Sequence, residues 1–182
     1  MGRRPRQPAY PGKVDRESGC GFIRSNQTGN SVDPPRTEGF LFSTSVIHPE
    51  LIQAYTETEF RVLEGMPLSI WVGKLNSDLL AVHKQYRVEC SAFLTACNPF
   101  SQELSDEANS VRQIALAKEL TARSLEFLPG IGQHPSSQWP GEPSYLVLGL
   151  TLEAAKALGA RLEQNAIVWT GVDGVSQLIL LR

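Results

Sequence analysis

No run of eighteen or more apolar residues occurs in the sequence, so no segment has the length to span a bilayer as a helix. The opening MGRRPR carries Arg6 where a myristoylation signal needs Ser or Thr. No leader with a basic start, an apolar middle and a small-residue cleavage site is expected from it. Cysteine is scarce: Cys20, Cys90 and Cys97 make an odd number, with none paired at zinc spacing. They are expected to be free thiols in a reducing cytoplasm, and neither a metal nor a cofactor is expected. The common catalytic signatures are missing too, with no Gly-x-Ser-x-Gly elbow, no P-loop and no His-Glu-x-x-His.

What is present suits an ordinary globular protein. The 182 residues, 41% hydrophobic and 20% charged, allow one domain with a sizeable core. Net charge is −2, unevenly placed: residues 1–36 hold seven basic side chains against three acids, leaving the remainder near −6. A mildly acidic body does not fit a nucleic-acid-binding domain, which needs Lys and Arg clustered on the folded surface. Residues 1–40 combine Pro, Gly, Arg, Asn and Ser with almost no aliphatic residues, so burial cannot offset an ordering cost of roughly 1 to 2 kcal/mol per residue. This stretch is expected to be a disordered basic tail, followed by a single α+β domain over 41–182.

Pro49 at a first helical position predicts a short helix to about Tyr55. Alternation at Thr58, Phe60 and Val62 predicts a strand, and Gly65-Met66-Pro67 turns it into a second at Leu68–Val72, a hairpin. Asn76 to Asp78 supply caps for a helix ending near Arg87. Ala92–Ala96 reads as a strand. Ser105 caps a helix to about Arg123, with Asp106 and Glu107 in its acidic first turn. Leu125–Leu128 reads as a strand ended by Pro129-Gly130, then a long loop from Gly130 to Pro143, then a strand at Tyr145–Leu148. Thr151 caps a helix, and Ala166–Trp169 with Val175–Leu181 forms a closing hairpin.

From about 91 to 170 the order is strand, helix, strand, strand, helix, strand. That order predicts a ferredoxin-like βαββαβ core, with helices on one face of an antiparallel sheet ordered 4-1-3-2, flanked by the N-terminal helix and hairpin and by a C-terminal hairpin strand. Such a topology brings three separated stretches to one edge: the turn Asn98 to Asn109, the loop Gly130 to Ser144, and the junction Gln164-Asn165. These stretches are rich in groups that both give and accept hydrogen bonds, and a pocket is expected there. Asn109 shares a helical stripe with Leu116 and Leu120 and leans inward, either bracing the turn at Asn98 to Ser101 or meeting a ligand.

The runs TACNPFSQELSDEAN, WPGEPSYLVLGL and EQNAIVW resemble a bacterial family catalogued as domain of unknown function 3293. The resemblance covers roughly Ala92 to Leu181 and points to Thr95, Asn98, Pro99, Ser101, Asn109, Glu142, Ser144 and Gln164. It implies no activity. The sequence departs from the family at Cys97, an aromatic position there, in the interrupted segment Trp139-Pro140-Gly141-Glu142, and at Glu163, where the family has Gly.

Cys97 with His134 as base would need a positive neighbourhood, whereas this edge carries Glu103, Asp106, Glu107 and Glu142 with no Lys or Arg assigned to it. Cys97 is therefore read as a packing residue, His134 as a solvent-exposed loop residue, and Gly130-Ile131-Gly132 as a turn. The acidic edge favours a neutral or cationic small molecule over an anion. Glu142 is the candidate acid or base, with Asn98, Ser101, Asn109, Ser144 and Gln164 as candidate substrate-binding residues. A non-enzymatic interaction or regulatory module, whose polar edge only braces the loops, is the alternative.

Overall fold

Helix α1 (Pro49–Glu57) starts on Pro49, whose fixed φ suits a first helical position and whose missing N–H costs nothing there. The computed structural model describes residues 47–136 and 140–182, so the tail expected over 1–40 lies outside the described residues. After α1 come the hairpin of β1 (Glu59–Val62) and β2 (Leu68–Ile70), helix α2 (Ser77–Tyr86) and β3 (Ser91–Leu94). A 3-10 turn at Pro99–Ser101 leads to α3 (Asp106–Ala122), then β4 (Phe127–Gln133), β5 (Glu142–Leu148), α4 (Leu152–Arg161), β6 (Ala166–Thr170) and β7 (Ser176–Leu180). Three helix starts are capped as their sequences predict. Asn76 accepts from the Leu79 N–H, Ser105 from that of Ala108 and Thr151 from that of Ala154.

The seven strands form one antiparallel sheet in the order β2-β1-β4-β5-β3-β6-β7, giving an α+β fold. Both faces are covered. Leu116 and Leu120 of α3 and Ala155 and Leu158 of α4 pack on Ala92, Leu94, Val147 and Ile167. On the opposite face, Leu79 and Val82 of α2 pack with Val62, Ile70, Phe93, Leu146 and Val168. This double cover explains why all four residues of β3 are buried and why its sequence does not alternate. Each such Leu contributes roughly 1.5 to 3 kcal/mol on burial. No helix among the described residues is long and apolar enough to cross a membrane.

The segment around Gly130 differs from its expected form. Pro129-Gly130 does not end a strand: β4 runs through both to Gln133 and β5 starts at Glu142, so much of the expected 14-residue loop is strand. Pro129 is tolerated because its carbonyl faces Leu63, which donates to it at 2.9 Å beyond the last β1 residue, Val62. Its missing N–H lies on that same side, at the very end of the β1 pairing, so it gives up no more than the terminal bond to Leu63. Pro143 in β5 is placed likewise, its carbonyl accepting from Thr95 Oγ1 at 2.8 Å just past the end of β3. Loop length therefore lends no support to a site here.

Gly130-Ile131-Gly132 is strand, not turn. A side chain at Gly130 would come within 2.6 Å of the Phe93 ring and 2.7 Å of the Arg61 carbonyl, and one at Gly132 within 3.4 Å of Phe60. The two glycines let two rings lie down on the sheet, where they meet edge to face at 5.3 Å.

Candidate functional site

The polar edge is built on Asn98, the residue that leaves β3 with φ 45. Asparagine tolerates this left-handed conformation because its short side chain bonds locally. Its Oδ1 accepts from Leu104 N at 3.0 Å and Asn109 Nδ2 at 2.9 Å, and its own N–H donates to Asn109 Oδ1 at 2.9 Å. Its Nδ2 donates to Glu142 Oε1 at 2.6 Å, joining the turn to the start of β5. The junction between α4 and β6 closes on the same turn: Gln164 Nε2 donates to the Cys97 carbonyl at 2.9 Å, and Phe100 N to the Glu163 carbonyl at 2.7 Å.

Phe100 (φ 54) and Ser101 (φ 58) are also left-handed, a conformation costing roughly 1 to 2 kcal/mol for a residue with a Cβ. The hydrogen bonds from 163–165 and from Asn98 hold them there. Glu163 itself has φ 63, which explains why glycine suits this position in the family that the sequence resembles. It pairs with Arg112 Nη2 at 3.2 Å. Arg112 donates further to the carbonyls of Ala96 at 2.7 Å and Leu162 at 2.9 Å. The edge thus has a cation behind it, contrary to the charge count from sequence. Local reading missed Arg112 because it lies on the α3 face carrying Glu119 and Arg123.

Asn98, Ser101, Glu142, Ser144 and Gln164 line one cavity of about 370 Å³. Asn109 does not reach its lining and serves Asn98 instead. Ser144 is buried and donates to the Glu142 carbonyl at 3.0 Å, across from Gly130. The rest of the lining is largely apolar, with Phe60, Phe93, Val168 and Leu178 from the sheet and Leu51 and Ala54 from α1.

Helix α1 was not expected at the site. It has no fully buried residue and closes the cavity from outside. Tyr55 OH shares a hydrogen bond with Ser101 Oγ at 2.7 Å, and Asn165 Nδ2 donates to both oxygens, at 3.3 and 3.0 Å. Glu57 meets His134 Nε2 at 3.2 Å, and bonds from Gln53 and then from His134 hold its carboxyl below the ordinary range. His134 is therefore not a free loop residue: its side chain is 18% exposed and lines the cavity. The Ser136 N–H donates to its Nδ1, so Nε2 carries the proton given to Glu57.

Cys97 is 1% exposed, and burial pushes its thiol up, opposed only in part by the Thr95 hydroxyl. A buried, protonated thiol facing the Pro143 carbonyl is a packing group. No group of three or more His, Cys, Asp or Glu is set to hold a metal ion among the described residues.

No curated protein and no solved structure matches the chain. Residues 94–167 match the family model described as protein of unknown function (DUF3293). The matched stretch runs from the end of β3 into β6 and holds Asn98, Ser101, Glu142, Ser144 and Gln164.

Proposed function

We propose that the cavity binds a small organic molecule, neutral or cationic, and that Glu142 is the acid–base residue of any reaction carried out there. Asn98, Ser101, Ser144 and Gln164 contact the molecule in this reading, and Asn109 acts through Asn98. The observation that carries it is the shared cavity: three separated stretches and α1 meet around about 370 Å³, within the range of roughly 300 to 1,000 Å³ typical of small-molecule sites. A network that only braced loops has no need of an apolar chamber beside it. The left-handed Phe100 and Ser101 support the reading further, because such backbone is concentrated at ligand sites.

We read the unit from β3 to β6 as ferredoxin-like. The neighbour order β4-β5-β3-β6, antiparallel throughout, and the shared core of α3 and α4 on one face support this.

A metabolite panel screened by thermal shift tests the ligand reading. At least one compound is expected to raise the melting temperature of the wild type, and Ala54→Phe, which grows a ring into the cavity from α1, is expected to abolish that response. A panel without any stabilising compound, or a response that survives Ala54→Phe, leaves the interaction-module alternative standing.

A further inference from the structure

At two places on the polar end of the cavity, side chains keep hydrogen-bonding capacity that the fold does not consume. The first is Gln164, which is 9% exposed and lines the cavity. Its Nε2 reaches the carbonyls of Cys97 at 2.9 Å and Leu162 at 3.5 Å, and a carbonyl can only accept, so the amide has one orientation. Its Oε1 is left without a hydrogen-bond partner among the described residues. Ala166 and Val168 continue the same wall at the two-residue spacing of a strand, which sets Gln164 on the cavity face of the sheet. An acceptor so nearly enclosed costs free energy until something donates to it.

The second place is the hydroxyl pair of Tyr55 and Ser101, which also lines the cavity. Their oxygens lie 2.7 Å apart, and Asn165 Nδ2 donates to both. One hydroxyl gives its proton to the other, and the second proton remains to be given. Gln164 and this pair sit on adjoining segments. Asn165 follows Gln164 in the chain, and the Phe100 N–H donates to the Glu163 carbonyl, so residues 163–165 run along Phe100-Ser101. This end therefore offers one donor and one acceptor, both uncharged. Lys and Arg are absent from the described lining, and beyond the polar groups the wall is ring and hydrocarbon, with Phe60, Phe93, Val168 and Leu178.

We infer that the cavity recognises a neutral carboxamide carried on an apolar chain, its N–H given to Gln164 Oε1 and its carbonyl taking the spare proton of the Tyr55–Ser101 pair. This rests on the reading of the cavity as a ligand site and adds the chemistry of the head group. An amide sets a donor and an acceptor on neighbouring atoms, whereas a ketone cannot donate and an ammonium cannot accept. Three probes separate these cases: hexanamide, 2-heptanone and hexylamine, titrated by calorimetry into the full chain. Hexanamide is expected to bind about tenfold more tightly than either of the others. Gln164→Met removes the acceptor and should bring hexanamide and 2-heptanone within about twofold of each other. Tyr55→Phe and Ser101→Gly each leave one hydroxyl with a proton to give, so either alone should change hexanamide binding by less than about threefold, while the double variant should weaken hexanamide and 2-heptanone alike by about fivefold or more. Ser101 is exposed and Tyr55 half-buried, so the double variant tests the assignment even where Gln164→Met does not fold. Equal binding of amide and ketone by the wild type, an amide preference that survives Gln164→Met, tighter binding of hexylamine, or a double variant that holds hexanamide as the wild type does overturns the carboxamide assignment while leaving the cavity a ligand site. If none of the three binds, both readings fall.

Discussion

Asn98 makes four of the hydrogen bonds that hold the polar end together, and two of them run to Asn109. Removing its side chain strands the Leu104 N–H and takes a short hydrogen bond from Glu142, so Asn98→Ala is expected to cost about 2 to 3 kcal/mol in urea unfolding. Asn98→Gly should cost about 1 kcal/mol less than Asn98→Ala, because glycine takes the left-handed backbone without strain. Asn109→Ala strands the Asn98 N–H and should cost about 1 to 2 kcal/mol. Since the two residues share bonds, the double variant should fall short of the sum by about 1 kcal/mol. Strict additivity would mean that Asn109 does not act through Asn98.

Strand β4 shows how element boundaries escape local reading. Pro129 and Gly130 look like a stop signal because proline lacks a donor and glycine favours turns. Both fit a strand here because β1 ends at Val62, so that Pro129 gives up no more than the terminal bond of that pairing, and because Phe93 supplies the side chain that Gly130 lacks. Neither fact can be read without knowing the partner strand. Gly130→Ala would press a methyl against the Arg61 backbone, which cannot give way. A cost of about 2 kcal/mol or more is expected. Gly132→Ala meets only the Phe60 ring at 3.4 Å and should cost under about 1 kcal/mol. Equal losses for the two in urea unfolding would show that the rings, not the backbone, set the limit. By contrast, the helix starts at Asn76, Ser105 and Thr151 were legible, since a cap is a local device.

At the scale of the whole molecule, the coming together of Asn98, Glu142 and Gln164 was legible from the order of elements alone, because strand pairing forces their turns to one edge. The share of α1 was not: Tyr55 reaches partners 46 and 110 residues away, and nothing local marks them. Global stability should also carry the mark of one buried group, His83 on α2. It is 3% exposed, with Nε2 bonded to Ser91 and Nδ1 without a hydrogen-bond partner among the described residues. Burial holds its imidazole below the ordinary 6.5. The unfolded chain therefore takes up a proton at pH values where the folded chain does not, and stability is lost as pH falls below about 6.5 until the folded ring also protonates. The urea midpoint should drop between about pH 7.5 and about pH 5.5, and His83→Gln should flatten that drop. An unchanged drop in the variant would assign the dependence to other groups. The cavity itself has two sources in the chain. Its polar lining residues Asn98, Glu142, Ser144 and Gln164 lie within residues 94–167, while the apolar Leu51, Ala54 and Phe60 lie outside that stretch. A chain sharing 94–167 but differing at these three positions would keep the same polar end inside a different sleeve. The chemistry of the one and the room left by the other can then diverge separately.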